Sequence, residues 1–562
     1  MLSSLLLRCR GSRALLRHGD VITAARESWR RVAYNAVRHD RCLDVSGHVF
    51  ITQGDLTRLA CDAWLLPTDA GLTIEQSWRE GIPSELIRHG RLAVERPEGW
   101  GASVLTAPVP GHDHDHSLPW MTSIGMLPPV VDVYLRGVRE FVHKATDVAK
   151  RQGPAFERSK PLLALPVVGT GAGGASRVKG DVHLSLLPEL YDLAASEDVD
   201  LALVTHDAAA FSAAQAVRRR LDADRTQNAF PELSDELRSH ALELGALAAQ
   251  GQLVLFLGAG VGVGAGLPLW KGLIRELATQ AHGSEHDTDG LDGLPIVDQA
   301  RILERRLGNL DIRAAIERLL SVRRHSLSHS LLAALPVNEI VTTNYDTLFE
   351  MACQGVNRDL AILPYQPSAA KRRWLLKLHG SVGQGDIVLT RDDYLHLAHL
   401  RGALAGIVQA LLATRHLLFV GYSLSDDDFH QIVYDVRTAV HGARATELHY
   451  GFGTALLPWD DPLLTELWEP DISCVGVSPT TTPLPEAGRR VEVLLDAILA
   501  EATTQTRYLL DPSYDSVLSA SDRELRGYLE ELRSRVSSLR KTTATTFVEQ
   551  FLASLSPNPP MR

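Results

Sequence analysis

The feature that most constrains this chain is a glycine-rich stretch near its middle, QLVLFLGAGVGVGAGLPLW. The apolar run at 253–257 predicts a buried strand, the five glycines at 258–266 predict a tight turn, and an amphipathic helix is expected from Leu269 onward. Backbone without Cβ atoms can approach a ligand closely, and the N-terminus of a helix favours negative charge. The order of strand, loop and helix is that of a dinucleotide-binding turn, with a plain tight turn as the alternative.

Three further segments place polar or glycine residues directly after predicted buried strands, where open α/β sheets bind their ligands. They read VTTNYD, WLLKLHG and HLLFVGYSLSDDD, and the residues that follow the strands are Asn344, Asp346, His379, Gly421 and Ser423. Histidine exchanges a proton near neutral pH, and an amide side chain can orient a water molecule or a hydroxyl group. For Asn344, Asp346 and the aspartate run at 426–428, capping of the next helix is the alternative interpretation.

Composition excludes several classes of protein. The chain has 562 residues, of which 45% are hydrophobic and 22% charged, and this is typical of a soluble globular protein with about three domains. The net charge of −11 argues against direct nucleic-acid binding. The five cysteines form no CxxC pair, so we expect no disulfide framework, no four-cysteine zinc site and a cytoplasmic location. The most apolar stretch, at 253–270, carries five glycines and a proline and predicts no membrane span.

The pattern of strands and helices predicts an α/β fold in four parts. These are a basic helical extension at 1–40, an α/β domain at 41–222, a second α/β domain at 240–505 and a helical tail at 506–562. Strands are predicted at 49–52, 62–67, 162–168, 200–205, 339–342, 374–378, 386–389, 416–420 and 471–476. The arginine-rich start predicts either a transit peptide or a basic amphipathic helix. The HDHDHS segment at 112–117 could bind a metal ion, although a solvated loop is the preferred interpretation.

Together, the segments at 258–270, 342–346, 378–380 and 421–428 resemble the sirtuin-like family, and more closely its prokaryotic defence-associated branch than its protein deacylases. The resemblance implies a Rossmann-like domain that binds NAD. It implies that the pyrophosphate is cradled by Gly258, Ala259 and Gly260, and that Asn344 and Asp346 line the nicotinamide–ribose pocket. It further implies that His379 is the catalytic histidine and that Gly421 and Ser423 contact the nucleotide.

The sequence departs from the deacylase pattern because it lacks the two cysteine pairs of that family's zinc module. This departure favours plain NAD hydrolysis without a metal, as in antiviral defence effectors that deplete a cell of NAD. A deacylase, an ADP-ribosyl transferase and a nucleotide-binding scaffold without turnover remain alternatives. Hydride transfer is disfavoured, because the acidic ribose ligand expected about 20 residues after a dinucleotide-binding loop cannot be placed.

The first α/β domain resembles the macro domain, a module that binds ADP-ribose. The resemblance rests on GDLTRLACDAWLLPTDAG at 54–71 and LLALPVVGTGAGGA at 162–175, whereas the family's asparagine-rich segment and its first glycine-rich loop are not evident. It implies an adenosine-binding aspartate, at Asp55 or Asp62, and a phosphate loop that includes Gly169, Thr170 and Gly171. An ADP-ribose-type signal would then switch on NAD cleavage by the second domain, with homo-oligomer formation as the expected route.

Overall fold

The structure, a computed structural model, has two mainly parallel β-sheets with helices on their faces, so the predicted α/β fold class is confirmed. The described residues are 46–110, 117–124, 131–171, 173–224, 226–282, 291, 293–367, 372–400, 402–440 and 451–556. The predicted extension at 1–40 and residues 112–116 of the HDHDHS segment lie outside them.

The first sheet is formed by strands from the N-terminal part of the chain. In chain order these strands are β1 (Val49–Gln53), β2 (Ala63–Thr68), β3 (Ile87–Arg88), β4 (Arg91–Leu92), β5 (Thr106–Pro108), β6 (Leu118–Ser123), β7 (Leu162–Leu165) and β8 (Asp200–Thr205). The sheet order is β1-β8-β7-β2-β6-β5, with only the β5–β6 pair antiparallel, and β3 and β4 form a separate two-stranded ribbon. Every residue of β1, β7 and β8 is buried, which is why these strands are continuous apolar runs.

The second sheet has seven strands, and all of its neighbouring pairs are parallel. The strands are β9 (Leu253–Leu257), β10 (Glu339–Thr342), β11 (Leu360–Leu363), β12 (Arg373–Lys377), β13 (His416–Val420), β14 (Gly453–Leu457) and β15 (Ile472–Gly476). Their order is β11-β12-β10-β9-β13-β14-β15, so β9 is central and its neighbours are β10 and β13.

The sixteen α-helices of the described residues connect and cover these strands. In chain order they are α1 (Val131–Gln152), α2 (Lys179–Glu197), α3 (Ala208–Ala223), α4 (Asp235–Ala249), α5 (Trp270–His282), α6 (Ile296–Leu307), α7 (Asn309–Leu320), α8 (Leu327–Ala334), α9 (Leu348–Gly355), α10 (Arg391–Leu400), α11 (Gly402–Thr414), α12 (Asp427–Val440), α13 (Pro462–Trp468), α14 (Leu484–Ala502), α15 (Ala520–Ser537) and α16 (Thr543–Ser554). The last two helices lie in the predicted helical tail. None of the described helices combines the length and the apolar character needed to cross a bilayer.

Most predicted strands are confirmed to within one residue at each end, but two predictions need correction. The strand predicted at 162–168 ends at Leu165. The strand predicted at 386–389 is wrong, because this segment pairs with loops instead of a sheet neighbour. The backbone N–H of Val388 donates to the carbonyl of His379 at 2.9 Å, and the Tyr345 hydroxyl donates to the carbonyl of Val388. Its apolar residues are buried beneath the loops of the second sheet, which explains the strand-like composition.

The glycine-rich segment also differs from its prediction. Instead of an open turn leading directly into a helix, Ala259–Ala265 forms a 3-10 helix, and Gly266 ends it in a left-handed conformation with φ of 82°. The α-helix begins only at Trp270. The backbone N–H groups of this segment are therefore partly used within the 3-10 turn.

Helix α14 joins the two sheets through buried ion pairs. Arg489 donates to Asp200 of β8 at 2.9 Å and to Glu232 at 2.7 Å. One turn further along, Asp496 accepts from Arg218 of α3 at 2.9 Å. Burial alone would raise the pKa of Asp200, but the neighbouring Arg489 outweighs it and holds this pKa below its usual value. Because breaking a buried pair costs about 3–5 kcal/mol, these contacts fix how the sheets are joined.

Candidate active site

The carboxyl edge of the second sheet brings together the four segments singled out in the sequence. They follow β9, β10, β12 and β13, which are neighbours in the order β12-β10-β9-β13. The backbone N–H of Leu378 donates to the carbonyl of Thr342 at 2.9 Å, and that of Gly258 donates to the carbonyl of Val420 at 3.0 Å. The loops after these strands therefore lie side by side, at the edge where parallel α/β sheets bind ligands.

Three of the predicted nucleotide-binding glycines are explained by contact between two loops. A Cβ atom on Gly258 would lie 2.4 Å from the carbonyl oxygen of Gly421, and one on Gly260 would lie 2.7 Å from the Cα of Gly421. Gly421 itself has φ of 63°, and its carbonyl accepts from the N–H of Gly260 at 2.9 Å. Half-buried Ala259 lies between the two glycines. Backbone packing thus requires these glycines whether or not a nucleotide binds.

Asn344 links the loop after β10 to this glycine contact. Its Nδ2 atom donates to the carbonyl of Gly258 at 3.0 Å, and its backbone N–H donates to the Thr342 hydroxyl at 3.0 Å. Asp346 is buried, and its Oδ1 atom accepts from the N–H of Leu348 at 2.9 Å. The capping interpretation therefore describes Asp346, and its contact with a ligand stays a prediction. Lys377 supports the same turn by donating to the carbonyl of Asp346.

His379 is buried at the end of β12, with 3% of its surface exposed. Its Nε2 atom lies 3.4 Å from Oδ2 of Asp426, and its ring meets the ring of Tyr394 edge-on at 5.2 Å between centroids. A carboxylate beside a histidine stabilises the protonated ring and orients it. This geometry suits a histidine that accepts a proton during a reaction.

The aspartates after β13 form an acidic group that faces His379. Burial, together with the charges of Asp426 and Asp427, raises the pKa of Asp428 to about 6. His379, Asp426 and Asp428 each offer one ligand atom, and these atoms lie within 4.8 Å of one another. A histidine with two carboxylates can coordinate a divalent cation, so the expected absence of a metal stays a prediction. Ser423 is exposed, and its hydroxyl lies 2.6 Å from that of Ser425.

A second concave site lies at the carboxyl edge of the first sheet. It is a cleft of about 570 Å³, lined by the loops that follow β1, β2, β7 and β8. Four of the residues predicted to bind ADP-ribose line it, namely Asp55, Gly169, Thr170 and Gly171. Asp55 accepts from the hydroxyl of Thr57 at 2.7 Å and pairs with Arg58 at 3.4 Å. A Cβ atom on Gly171 would lie 2.9 Å from Oε1 of Glu75, so a carboxylate stands beside the glycine loop.

Asp62, the other candidate for the adenosine-binding aspartate, lies away from this cleft. It immediately precedes β2, whereas the cleft is at the opposite end of the parallel strands. Its two carboxylate oxygens accept from the backbone N–H groups of Ala155 at 2.8 Å and Leu162 at 2.7 Å. Asp62 therefore fixes the start of β2 to the start of β7, and of the two candidates only Asp55 can contact a ligand in the cleft.

Comparison with known proteins assigns part of the chain. Residues 338–469 match the family model described as a SIR2-like domain. They are a SIR2-like domain. The matched residues include Asn344, His379 and Gly421, and the glycine-rich segment at 258–266 precedes them. The resemblance seen in the sequence is confirmed for this part.

Relatives of the chain match it over about a third of its length or less. "Defense-associated sirtuin 2" of Bacillus subtilis is 24% identical over 226 residues, which cover 38% of this chain and 22% of that protein. "NAD(+) hydrolase ThsA" of Acinetobacter baumannii is 28% identical over 211 residues, covering 36% of this chain and 42% of that protein. The protein of the same name from Bacillus cereus is 31% identical over 129 residues, covering 22% and 27%. The chain thus spans less than half the length of each relative.

One solved structure, a macrodomain mutant of Oceanobacillus iheyensis, superposes on 31% of this chain and 92% of its own length, with 14% identity and a TM-score of 0.23. A score this low does not establish a shared fold. The macro-like interpretation of the first sheet therefore stays a prediction.

Two residues beside His379 of the SIR2-like domain were not among the predicted site residues. Asp426 was interpreted as a helix cap, and it does accept from the N–H of Asp428 at 3.1 Å, but its other oxygen faces His379. Tyr394 carried no signal in the sequence, because it lies on α10 and reaches the site only through the fold. The unusual run of three aspartates after a strand was the available signal for Asp426.

Proposed function

We propose that this chain hydrolyses the nicotinamide–ribose bond of NAD⁺. The observation that carries the proposal is the meeting of Asn344 and His379 on neighbouring strands, with Asn344 bonded to the carbonyl of Gly258 and His379 facing Asp426. An amide and a carboxylate-paired histidine beside a glycine-rich segment supply groups for orienting and deprotonating a water molecule. The names of three relatives, all NAD(+) hydrolases, point to the same chemistry.

The reaction needs only water as a second reactant. The bond between C1′ of the ribose and the nicotinamide nitrogen breaks, and its electron pair leaves with nicotinamide. The water oxygen bonds to C1′, and its proton passes to His379 and then to solvent. The products are ADP-ribose, nicotinamide and one proton. Burial of His379 keeps bulk water away from the developing positive charge on the ribose, and Asp426 offsets the charge that His379 gains.

Asn344 acts by position in this scheme. Its Nδ2 atom is held by Gly258, so its Oδ1 atom is left to accept from the attacking water or from a ribose hydroxyl. The nucleotide would lie along Ala259, Gly260, Gly421 and Ser423, where little side-chain volume separates a ligand from the backbone. No step of this mechanism requires a metal ion.

In a cell, we propose that the chain acts in antiviral defence by depleting NAD. Two features support regulation: NAD loss is toxic, so an effector must rest inactive, and a separate cleft lies on the first sheet. An ADP-ribose-type signal bound in that cleft would favour the active state. Assembly into homo-oligomers in the cytoplasm is part of the same proposal, with the exposed apolar residues of α16, such as Phe547, as a candidate contact.

The test is release of nicotinamide from NAD⁺ by the purified full chain. His379→Ala and Asn344→Ala should each lower the rate by about 100-fold or more, while thermal unfolding stays close to that of the parent protein. His240→Ala, on the distant helix α4, is the matched control and should keep full activity. Full activity in both site variants would refute the mechanism. ADP-ribose found attached to protein instead of free in solution would indicate a transferase.

A further inference from the structure

The cleft on the first sheet is closed on one side by the SIR2-like domain. Gln354 and Gly355, at the end of α9, and the following Asn357 line it together with the loop after β1. Nη1 of Arg58 donates to Oε1 of Gln354 at 3.2 Å. A Cβ atom on Gly355 would lie 2.7 Å from the backbone nitrogen of Asp55, so the helix end packs directly on that loop. A ligand in the cleft therefore touches both parts of the chain.

Helix α9 connects this wall to the proposed NAD site. It follows the loop that carries Asn344, and Asp346 caps its first turn at 2.9 Å. Eight residues of α-helix span about 12 Å. Near its start, Glu350 pairs with buried Lys377 at 3.2 Å, which ties the helix to β12. A displacement of the Gly355 end is therefore passed to the Asn344 end by a short rigid element.

A second connection runs from the same loop to the glycine-rich segment. The backbone N–H of His325 donates to the carbonyl of Arg58 at 2.9 Å, and the N–H of Ala60 donates to the carbonyl of His325 at 2.9 Å. The next residue, Ser326, donates its hydroxyl hydrogen to the carbonyl of Val261 at 2.7 Å. Val261 belongs to the 3-10 helix that follows Gly258. The segment 54–60 thus contacts both walls of the NAD site, each through one intermediate.

The chemistry of the cleft fits a nucleoside diphosphate linked to a sugar. Its volume of about 570 Å³ lies within the range of small-molecule sites. The loop at 169–173 leads to α2, whose first N–H groups receive no side-chain cap, and such a helix start favours phosphate. The carboxylates of Asp55, Asp69 and Asp207 line other parts of the wall and can accept from ribose hydroxyls or an adenine amine.

We propose that this cleft is a regulatory site shared by both parts of the chain, and that segment 54–60 couples its occupancy to the NAD site through α9 and Ser326. The inference rests on the proposed NAD hydrolysis and adds how that activity is controlled. A ligand of the ADP-ribose class would bind the arrangement in which α9 and the glycine-rich segment are correctly placed better than the resting arrangement.

The test uses the full chain, with ADP-ribose as the probe, and two separate measurements. Calorimetry gives ADP-ribose binding, and initial rates of nicotinamide release give activity with and without saturating ADP-ribose. In the parent protein, ADP-ribose should raise the initial rate by at least about fivefold. Ser326→Ala lies outside the cleft and should bind ADP-ribose normally while losing most of this activation. Gly355→Ala, which forces a Cβ atom against Asp55, should weaken both binding and activation.

Gly488→Ala is the matched control, because a Cβ atom there meets nothing within 4 Å, and it should behave like the parent protein. An initial rate that ADP-ribose leaves unchanged or lowers overturns the regulatory proposal and leaves NAD hydrolysis standing. Normal activation in both Ser326→Ala and Gly355→Ala overturns the proposed route. Absence of nicotinamide release under every condition instead removes the proposed function, and the calorimetry then still reports whether the cleft binds ADP-ribose.

Discussion

Replacing Gly421 with alanine separates the two reasons for a glycine at the candidate active site. Alanine in the left-handed conformation that Gly421 adopts, with φ of 63°, costs about 1 kcal/mol. Its Cβ atom would also lie 2.5 Å from the nitrogen of Val261 and 2.8 Å from the carbonyl carbon of Gly260. These atoms are backbone and cannot rotate away, so overpacking adds about 1–3 kcal/mol. We therefore expect the free energy of unfolding to fall by about 2–4 kcal/mol.

Gly251→Ala is the matched control for this prediction. Gly251 has φ of 70°, but a Cβ atom there meets nothing within 4 Å, so only the backbone cost of about 1 kcal/mol applies. Urea unfolding of the parent and both variants measures the difference, and nicotinamide release reports on the site. Gly421→Ala should also lose activity, because the segment after Gly258 must move. Equal destabilisation of the two variants would refute the packing argument, and full activity in Gly421→Ala would show that the contact does not shape the site.

Two further predictions concern the charges around the two sites. Glu75→Gln should tighten ADP-ribose binding in calorimetry by about fivefold, since removing a negative charge about 4 Å from a diphosphate relieves about 1 kcal/mol of repulsion; unchanged or weaker binding would place the diphosphate away from Gly171. Incubation with EDTA followed by desalting should leave the rate of nicotinamide release unchanged, because the proposed mechanism uses only side chains. A lost rate that a divalent cation restores would instead assign His379, Asp426 and Asp428 to a metal site.

The strand positions could be predicted because parallel sheets leave a strong signal in the sequence. Both faces of such a sheet are covered, so strands such as Leu253–Leu257 and Asp200–Thr205 are short apolar runs that differ from the amphipathic helices around them. The same signal misled at 386–389, where apolar residues are buried by loops without any strand partner. Periodicity reports burial, and burial does not specify what the backbone pairs with.

The organisation between the two sheets could not be predicted, because it depends on contacts between residues far apart in sequence. Arg489 and Asp200 are 289 positions apart, and nothing in either local sequence indicates a partner. The same holds for Arg58 and Gln354, which are 296 positions apart. The predicted boundaries treat the first α/β domain as complete by residue 222, whereas α14 supplies buried partners to its strands and α9 supplies one wall of its cleft.

The choice between Asp55 and Asp62, in contrast, could have been made from the sequence. The predicted strands already ran from 49 to 52 and from 62 to 67, so Asp55 followed a strand and Asp62 began one. Since parallel strands bind ligands at their carboxyl ends, only the aspartate that follows a strand can reach the ligand. Applied in the same way, this rule favours Asn344, His379 and Asp426, each of which follows a parallel strand. Position relative to a strand end is therefore a sharper criterion for a site residue here than residue type.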